Sequence, residues 1–430
     1  MTPIKPAIKK KISVTPKKNK LSSAKGAKDI LPDECRVLDS LHSAAANIAG
    51  FYNFSRIEPA PLESSEIEDA DWETLGIDPK RILTIKGSNG DLLSLRFDPA
   101  ISLLRSFTEN GLHKTGPQRL YYFTPSFKDV GEEAAYKTEY HIGFGILGGN
   151  VDSIYDAQVI NTVYRLLGRL KLKDLMIHIN SVGCMVCRPN YKKRLLQYFK
   201  DLSCCKECKR KLEKNPFRIF DCGDKECIAL CANAPIFLDS LCSNCSNHLK
   251  NTLEFLEELK LPYMVVPQFI GDLDYRSRTV FKVVSEGSGD LAWGGRHDYL
   301  GEIINGHTIP AVQSRLNVEK LIELMRETST ASGKGRIFLI YVGDLAKRKS
   351  LPLIEEFREK RLPVTESLGE DSLSAQLQAA SQLEAPVALI LGQKEAHEEN
   401  IIVRDMETGI QEIVPISKVV EEVRKRLRSN

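Results

Sequence analysis

Four closely spaced pairs of cysteines within residues 182–247 constrain the fold of this chain more than any other sequence feature. Two thiolates separated by a few residues can bind one tetrahedral ion, and two such pairs complete a structural Zn²⁺ site. The pairs therefore predict two four-cysteine zinc sites, with reduced thiols in a small helical domain as the alternative. The predicted ligands are Cys184, Cys187, Cys205, Cys208, Cys222, Cys227, Cys242 and Cys245.

The remaining cysteines, Cys35, Cys204 and Cys231, are not expected to bind metal. The basic N-terminus lacks the apolar core of a secretory signal. Cysteine-rich chains without such a signal indicate a reducing compartment, so we expect a cytoplasmic protein. No apolar run reaches the roughly 18 residues that a membrane-spanning helix needs, so we expect no membrane partner.

A β-hairpin is predicted over residues 278–293, because a β-branched and aromatic run is followed by a glycine-rich turn and a second apolar stretch. Gly294 and Gly295 then permit a tight turn or the close approach of a ligand, since glycine has no Cβ. Polar groups gather at one end of the strand pair, as on the floor of a ligand pocket or at an ordinary hairpin end. They are Asp274, Tyr275, Arg296 and Asp298.

The stretches GDLDYRSRTVF and GGRHDYL resemble the histidine-binding motif and the following segment of histidyl-tRNA synthetases, which are class II aminoacyl-tRNA synthetases. In this alignment the family's catalytic arginine falls on Gly271 and its second tyrosine falls on Arg276. Arg276 is the best candidate to replace the missing arginine. The resemblance also implies a substrate pocket with contributions from Asp274, Tyr275, Gly294, Gly295 and Arg296.

Residues 119–149 resemble motif 2 of the same family, which is a strand, a loop and a second strand. Where the family has an arginine that binds ATP, this chain has Lys128, which keeps the charge but not the planar bidentate fork. An ungapped alignment places Ile142 and Ile146 at the positions that recognise the histidine ring. Isoleucine offers imidazole no hydrogen-bond acceptor.

Two further segments resemble family motifs. Arg96 and Asp98 fall where a carboxylate of the family helps to hold the substrate amino group, although two such charges alone more often form a structural ion pair. Residues 309–326 resemble motif 3, with Lys320 in place of the arginine that stacks on adenine. In each motif the scaffold is retained while the residue that faces the ligand differs.

Composition and motifs divide the chain into a basic tail (1–24), a catalytic-type core in two parts (25–181 and 248–330), the cysteine-rich insertion (182–247) and a C-terminal segment (336–430). The lysine-rich tail is expected to be disordered and to serve either as a weak RNA contact or as a solubilising extension. Strands alternate with helices in the C-terminal segment, which resembles the family's anticodon-binding domain. The predicted fold class is α+β: an antiparallel class II synthetase sheet with a Cys-rich insertion, plus a C-terminal α/β anticodon-binding-like domain.

The resemblance implies ATP-dependent ligation of histidine to tRNA, with ATP and magnesium as cofactors if the chain is active. The combined substitutions instead predict a paralogue with impaired or lost aminoacylation, because each lost transition-state contact is worth about 2–4 kcal/mol. A third interpretation is the synthetase-like regulatory subunit of ATP phosphoribosyltransferase, which usually lacks the C-terminal domain. The expected partners are tRNA and a second copy of the chain, since residues 51–63 resemble the motif 1 strand that supports dimerisation.

Overall fold

The computed structural model describes residues 21–64, 77–131, 136–271, 275–328, 337–367 and 372–429. Most of the lysine-rich tail, Asp274 and most of the connection before residue 337 lie outside these ranges. The chain divides into two compact units, Met1–Arg326 and Glu327–Asn430. Among the described residues, no helix combines the length and the apolar character that crossing a bilayer requires.

Helices and strands alternate irregularly along the first part of the chain. The helices are α1 (Pro32–Phe51), α2 (Pro99–Glu109), α3 (Ser153–Arg169), α4 (Cys187–Phe199), α5 (Lys206–Lys214), α6 (Lys225–Ala232), α7 (Ser243–Glu258), α8 (Leu300–Asn305) and α9 (Val318–Thr328). The strands are β1 (Ser55–Arg56), β2 (Leu62–Ser64), β3 (Thr84–Lys86), β4 (Leu92–Leu95), β5 (Gln118–Asp129), β6 (Tyr136–Leu147), β7 (Leu175–Ser181), β8 (Tyr263–Val265), β9 (Ser277–Ser285), β10 (Gly289–Arg296) and β11 (Ala311–Asn317).

An eight-stranded sheet forms the centre of the first unit within the described ranges, in the order β1-β5-β6-β11-β10-β9-β7-β8. Neighbouring strands are antiparallel except at the two edges, where β1 with β5 and β7 with β8 are parallel. The predicted antiparallel sheet is therefore confirmed. The segment that resembles motif 2 forms the pair β5–β6, and the predicted hairpin is the pair β9–β10.

One face of this sheet, called here the helix face, packs against α1, α3 and α7. Its core includes Leu41 and Ala45 of α1, Ile160 of α3 and Leu256 of α7. These apolar positions face the sheet because residues three or four apart lie on the same side of a helix. The opposite face carries a second apolar cluster around α2 and a third within residues 182–245, which reaches Val280 of β9.

A small antiparallel sheet of β2, β4 and β3 flanks the large one. Its β3–β4 hairpin turns at Asn89 and Gly90, as the sequence predicts. Gly90 has a φ of +92°, a conformation that favours glycine because it has no Cβ.

The second unit contains its own sheet and two apolar layers. Its elements are β12 (Ile337–Tyr341), α10 (Asp344–Glu359), β13 (Val364–Glu366), α11 (Leu373–Gln382), β14 (Val387–Leu391), α12 (Gln393–Glu398), β15 (Asn400–Asp405), β16 (Gln411–Pro415) and α13 (Val419–Ser429). The strand order is β13-β12-β14-β15-β16, with parallel pairing around β12. Along β12, Leu339 packs in a cluster with Phe357 of α10, whereas Ile340 packs in one with Ala380 of α11. Helices thus cover both faces, which confirms the predicted α/β unit.

Candidate functional site

A polar cluster forms on the face of the large sheet opposite to the helix face. It consists of Arg96, Asp98, Lys128, His141, Tyr275 and Arg276. The Tyr275 hydroxyl donates to Asp98 at 3.4 Å, and the Arg276 guanidinium carbon lies 5.5 Å from the centre of the Tyr275 ring. The charges of Asp98 and Lys128 both act on His141. The structure therefore brings together residues from motifs that are far apart in the sequence.

Arg96 and Asp98 have separate structural partners. Arg96 is 2% exposed, and its guanidinium donates to the carbonyls of Pro59 and Pro125, the latter at 2.8 Å. Asp98 caps α2 by accepting from the N–H of Ala100 at 2.8 Å. A carboxylate at a helix N-terminus satisfies an N–H that has no partner within the helix. Both side chains are thus held in place by neighbouring backbone.

Lys128 and His141 form a compact charged group with their neighbours. Lys128 Nζ donates to Glu139 at 2.8 Å, and His141 Nε2 lies 2.8 Å from Ser126 Oγ. Burial alone would raise the pKa of Glu139, but the Lys128 and Lys137 ammonium groups outweigh it and lower that pKa to about 2. Burial, together with the positive charges of Arg315 and Lys128, lowers the pKa of His141 to about 4. At neutral pH this group contains an ionised Glu139 and an uncharged imidazole.

Ile142 and Ile146 are not on the polar side of β6. Both are buried among the apolar side chains of the helix face. Successive residues of a strand point to opposite faces, so His141 and Gly145 occupy the side that carries the polar cluster. The ungapped alignment is therefore corrected by one residue. The signal was present in the sequence, because Ile142, Phe144 and Ile146 alternate as apolar residues facing a core do.

Gly294 and Gly295 lie within β10 and form no turn. A Cβ on Gly294 would overlap the ring of Phe281, and one on Gly295 would lie 2.6 Å from the carbonyl oxygen of Thr279. Glycine is required here because the neighbouring strand β9 approaches closely. The expected tight turn at this pair is therefore wrong, and a close approach occurs within the protein itself.

Arg296 belongs to a buried ion network. Its Nε donates to Asp156 of α3 at 2.7 Å, and its Nη1 donates to Asp298 at 3.0 Å. His248 Nε2 lies 3.3 Å from the other oxygen of Asp156. Arg296 and Asp156 are 1% and 0% exposed, so the pair ties β10 to α3 instead of facing solvent. A buried guanidinium needs such partners because burying an unpaired charge is unfavourable.

Gly271 and Arg276 differ in the space around them. Gly271 has a φ of +85°, and a Cβ at this position would lie 2.9 Å from Cγ1 of Val280. Arg276 is 2% exposed, and its Nη1 donates to the carbonyl of Gly295 at 3.0 Å. The backbone at Gly271 therefore leaves no room for a side chain, while the neighbouring arginine is held against β10.

Lys320 lies in the first turn of α9 and forms an ion pair with Glu323 at 2.9 Å. The Lys320 backbone N–H is capped by Asn317 Oδ1 at 3.2 Å. Asp274, the other charged residue expected in the pocket, lies outside the described part of the chain.

The eight predicted metal ligands form two groups, and in each group the four sulfur atoms lie within 4.8 Å of one another. The first thiol cluster is Cys184, Cys187, Cys242 and Cys245, and the second thiol cluster is Cys205, Cys208, Cys222 and Cys227. Sulfur atoms are 3.7 Å apart in the pair Cys184–Cys187 and 3.8 Å apart in the pair Cys205–Cys222. Four thiolates around one Zn²⁺ at about 2.3 Å would have sulfur–sulfur distances of about 3.8 Å. The geometry therefore fits a tetrahedral ion in each group.

Backbone N–H groups point at these sulfur atoms. The N–H of Cys242 donates to Cys187 Sγ at 3.1 Å, and the N–H of Cys205 donates to Cys227 Sγ at 3.3 Å. Such donors stabilise the charged thiolate that a metal ion needs.

Comparison with known proteins gives matches along nearly the whole chain. A family model described as Histidyl-tRNA synthetase matches residues 26–187, and one described as Anticodon binding domain matches residues 336–426. A histidine–tRNA ligase of Desulfitobacterium hafniense is 32% identical over 418 residues, which cover 94% of this chain and 98% of that protein. The histidine–tRNA ligase of Caldanaerobacter subterraneus is 31% identical over 411 residues, with coverage of 93% and 98%.

Solved structures share the fold. The apo histidyl-tRNA synthetase of S. aureus superposes with a TM-score of 0.76 at 23% identity, covering 94% of this chain and 100% of that one. A Bacillus halodurans protein described as an ATP phosphoribosyltransferase regulatory subunit/histidyl-tRNA synthetase has a TM-score of 0.65 at 15% identity, with coverage of 86% and 98%. These likenesses confirm the predicted fold.

Proposed function

The chain belongs to the histidyl-tRNA synthetase family, and we propose that it is a member with impaired or lost histidine charging that keeps a tRNA-binding scaffold. The observation that carries this proposal is the geometry at Gly271, where the family's catalytic arginine falls. A side chain there meets Val280 at 2.9 Å, and the φ of +85° disfavours any residue except glycine. This backbone cannot present an arginine at position 271.

The nearby cations do not replace that arginine. Arg276 is buried against the Gly295 carbonyl, Arg96 serves the carbonyls of Pro59 and Pro125, and Lys128 is paired with Glu139. A phosphate or carboxylate ligand would have to break these contacts before it could be bound. Transition-state stabilisation depends on donors that are already oriented, so this arrangement favours weak or absent activity.

The corrected register on β6 supports the same conclusion. His141 and Gly145 then stand where the family recognises the histidine ring. Gly145 has no side chain, and a Cβ on it would lie 2.9 Å from Cγ of Gln313. His141 is already bonded to Ser126. A bound histidine would therefore meet the protein's own imidazole and a glutamine stem, so we propose that any small ligand is not histidine.

Transfer RNA is the proposed partner. The match of residues 336–426 to an anticodon-binding domain supports it. The insertion, residues 182–247, adds a basic surface, since it has twelve Lys and Arg against seven Asp and Glu. Helix α5 exposes four of these cations, Lys206, Lys209, Arg210 and Lys214. Clustered cations bind RNA phosphates and release counterions.

We also propose that each thiol cluster holds one Zn²⁺ as a structural ion. The tetrahedral spacing of the sulfur atoms supports this proposal. The insertion has few long apolar elements, so the ions would stabilise its fold. Metal analysis of protein purified without chelator should give about two equivalents of zinc per chain. Less than about half an equivalent, with unchanged folding in EDTA, would leave only reduced thiols.

A homodimer is the proposed assembly. The segment that resembles motif 1 contains the end of α1 and the edge strand β1. Beside it a groove of about 400 Å³ is lined by apolar and polar side chains from α1, α3 and α7.

Two alternatives remain for comparison. An active histidine–tRNA ligase would use ATP with magnesium, and Lys128 and Lys320 are the cations that would face its phosphates. A regulatory subunit of ATP phosphoribosyltransferase is favoured by the fold likeness to the B. halodurans protein alone. The anticodon-binding match favours a tRNA partner over that subunit.

The decisive experiment measures ATP–pyrophosphate exchange with histidine beside binding of tRNA, with an active ligase such as the D. hafniense relative as positive control. We expect tRNA binding without exchange. Single-turnover charging is then compared among the native chain, Arg276→Ala and Gly271→Arg. Gly271→Arg should not restore charging, because its side chain is blocked by Val280. Robust charging by the native chain that collapses in Arg276→Ala would overturn the proposal and identify an active synthetase.

A further inference from the structure

The first thiol cluster lies directly against the start of β9, and Arg278 makes the contact. Its Nη1 donates to Cys245 Sγ at 3.2 Å. Its backbone N–H donates to the carbonyl of Gly183 at 2.8 Å, and its carbonyl accepts from the N–H of Val182 at 2.7 Å. Arg278 is therefore bonded both to a proposed zinc ligand and to the chain that leads into Cys184.

The same guanidinium reaches the buried ion network next to the polar cluster. Arg278 Nε lies 3.4 Å from Asp298 Oδ2, and the other oxygen of Asp298 accepts from Arg296 at 3.0 Å. Ser277 Oγ donates to Asp298 at 3.1 Å. Asp298 and Arg296 are 3% and 1% exposed, so solvent screens these contacts only weakly. One arginine thus joins the thiol cluster to the network that fixes the ends of β9 and β10.

The backbone of Arg278 is strained. Its φ of +49° lies in the left-handed region, which long side chains rarely adopt and keep only where the surroundings hold them. The surroundings here are the bonds to Val182, Gly183 and Cys245. Arg188, directly after Cys187 in the sequence, adds a second link because its guanidinium donates to the carbonyl of Arg276.

We propose that Arg278 is a positioning residue through which metal held by the first thiol cluster fixes the conformation of residues 275–278 and, through Asp298, of the polar cluster. This inference rests on the zinc ions proposed above. A bound ion fixes its four sulfur atoms, so Cys245 stays in place as an acceptor for Arg278. Without the ion the sulfur atoms are free to separate, and the contacts that hold the left-handed backbone weaken together.

Coupling of this kind is reciprocal, so a change on the sheet side must alter the retention of zinc. Asp298→Asn removes a charge that orients Arg278 without touching a cysteine. Arg278→Asn removes the guanidinium while keeping a residue that tolerates the left-handed conformation. Arg278→Lys keeps a donor for Cys245 but loses the fork that also reaches Asp298.

The test follows zinc release from the full chain to a coloured chelator, with the second thiol cluster as an internal reference. The kinetic phase that Cys245→Ser abolishes belongs to the first thiol cluster. We expect Asp298→Asn and Arg278→Asn to accelerate this phase at least about tenfold and leave the other unchanged, with Arg278→Lys between them and the native chain. Arg194→Ala is the matched control, because this arginine of the insertion bonds Ser240 at 2.8 Å and no cysteine.

A second readout follows hydrogen exchange. Zinc removal under reducing conditions should increase exchange in β9 and β10 and leave β14 of the second unit unchanged. If zinc is bound but neither its release nor the exchange responds, the coupling through Arg278 is wrong while the zinc sites stand. If no zinc is bound, both proposals fail. Neither readout involves charging of tRNA, so loss of charging is judged separately.

Discussion

His141 connects burial to charge on the polar side of β6. It is 8% exposed and bonds Ser126, and Arg315 and Lys128 lie near enough to disfavour a second positive charge. Glu139 partly opposes them, yet the balance lowers the pKa of His141 to about 4. The site therefore holds a neutral imidazole at neutral pH, with hydrogen-bonding capacity but no charge to attract an anion.

This shift predicts a pH-dependent stability. Below the ordinary pKa of about 6.5 the unfolded chain binds a proton that the folded His141 takes up only near pH 4, so the free energy of unfolding falls as the pH drops from 6.5 towards 4. The full effect is of order 3 kcal/mol. Glu139, with a pKa near 2 in the folded state, loses its contribution only below about pH 4.5. The window from pH 6.5 to 4.5 therefore isolates the histidine.

Urea unfolding at several pH values within this window measures the effect. His141→Gln should flatten the pH dependence, while His397→Gln, at an exposed position of the second unit, controls for the loss of one histidine. Equal slopes for the native chain and His141→Gln would show that the imidazole is not held neutral by its surroundings.

At the scale of elements, the pair β5–β6 is closed on its polar side by the protein's own side chains. The Tyr122 ring lies over Gly143, where a Cβ would overlap it, and Gln313 of β11 lies over Gly145. Tyr122 is 1% exposed and belongs to the apolar cluster around α2. Glycines on β6 thus accept large neighbours instead of lining an open pocket.

Gly143→Ala should destabilise the protein by about 1–3 kcal/mol, because the new methyl group forces the Tyr122 ring to move. Tyr122→Leu removes the far end of that ring. We expect the double variant to be more stable than the sum of the two single effects, by about 0.5–3 kcal/mol in a double-mutant cycle. Gly168→Ala in α3, where no atom lies within 4 Å, is the control and should not destabilise. Additive effects in chemical denaturation would show that the ring does not cover Gly143.

Hydrophobic alternation was sufficient to predict these strands and the alternating layers of the second unit. It could not fix which side of β6 faces the polar cluster, because an alignment shift of one residue reverses every side chain of a strand. Nor could it predict the pair Arg296–Asp156, whose members are 140 residues apart in the chain. The left-handed Arg278 also escaped the sequence, since only long-range contacts stabilise it. Close residue spacing did predict both thiol clusters, because each cysteine pair is local.

At the scale of the whole molecule, the proposed dimer depends on one surface of the first unit. Its groove is lined by Tyr52 and Phe54 at the end of α1, by Ile154 of α3 and by Leu259 after α7. Phe51, next to this lining, is 80% exposed. Large apolar side chains gathered at one site mark interaction surfaces. At the groove, Arg119 donates to Gln158 at 2.9 Å, which adds a polar element to the surface.

We expect the native chain to have twice the monomer mass of 48.2 kDa in light scattering at micromolar concentration. Ile154→Glu should shift the population to monomers, because a carboxylate buried in the interface without a partner is strongly unfavourable. Ile154 is already 37% exposed, so the substitution should leave the folded monomer intact, and circular dichroism checks this. Ile413→Glu, on a strand of the second unit and 66% exposed, is the matched control and should remain dimeric. A native chain that stays monomeric across the micromolar range contradicts the dimer, and a dimer that persists in Ile154→Glu places its interface on another surface.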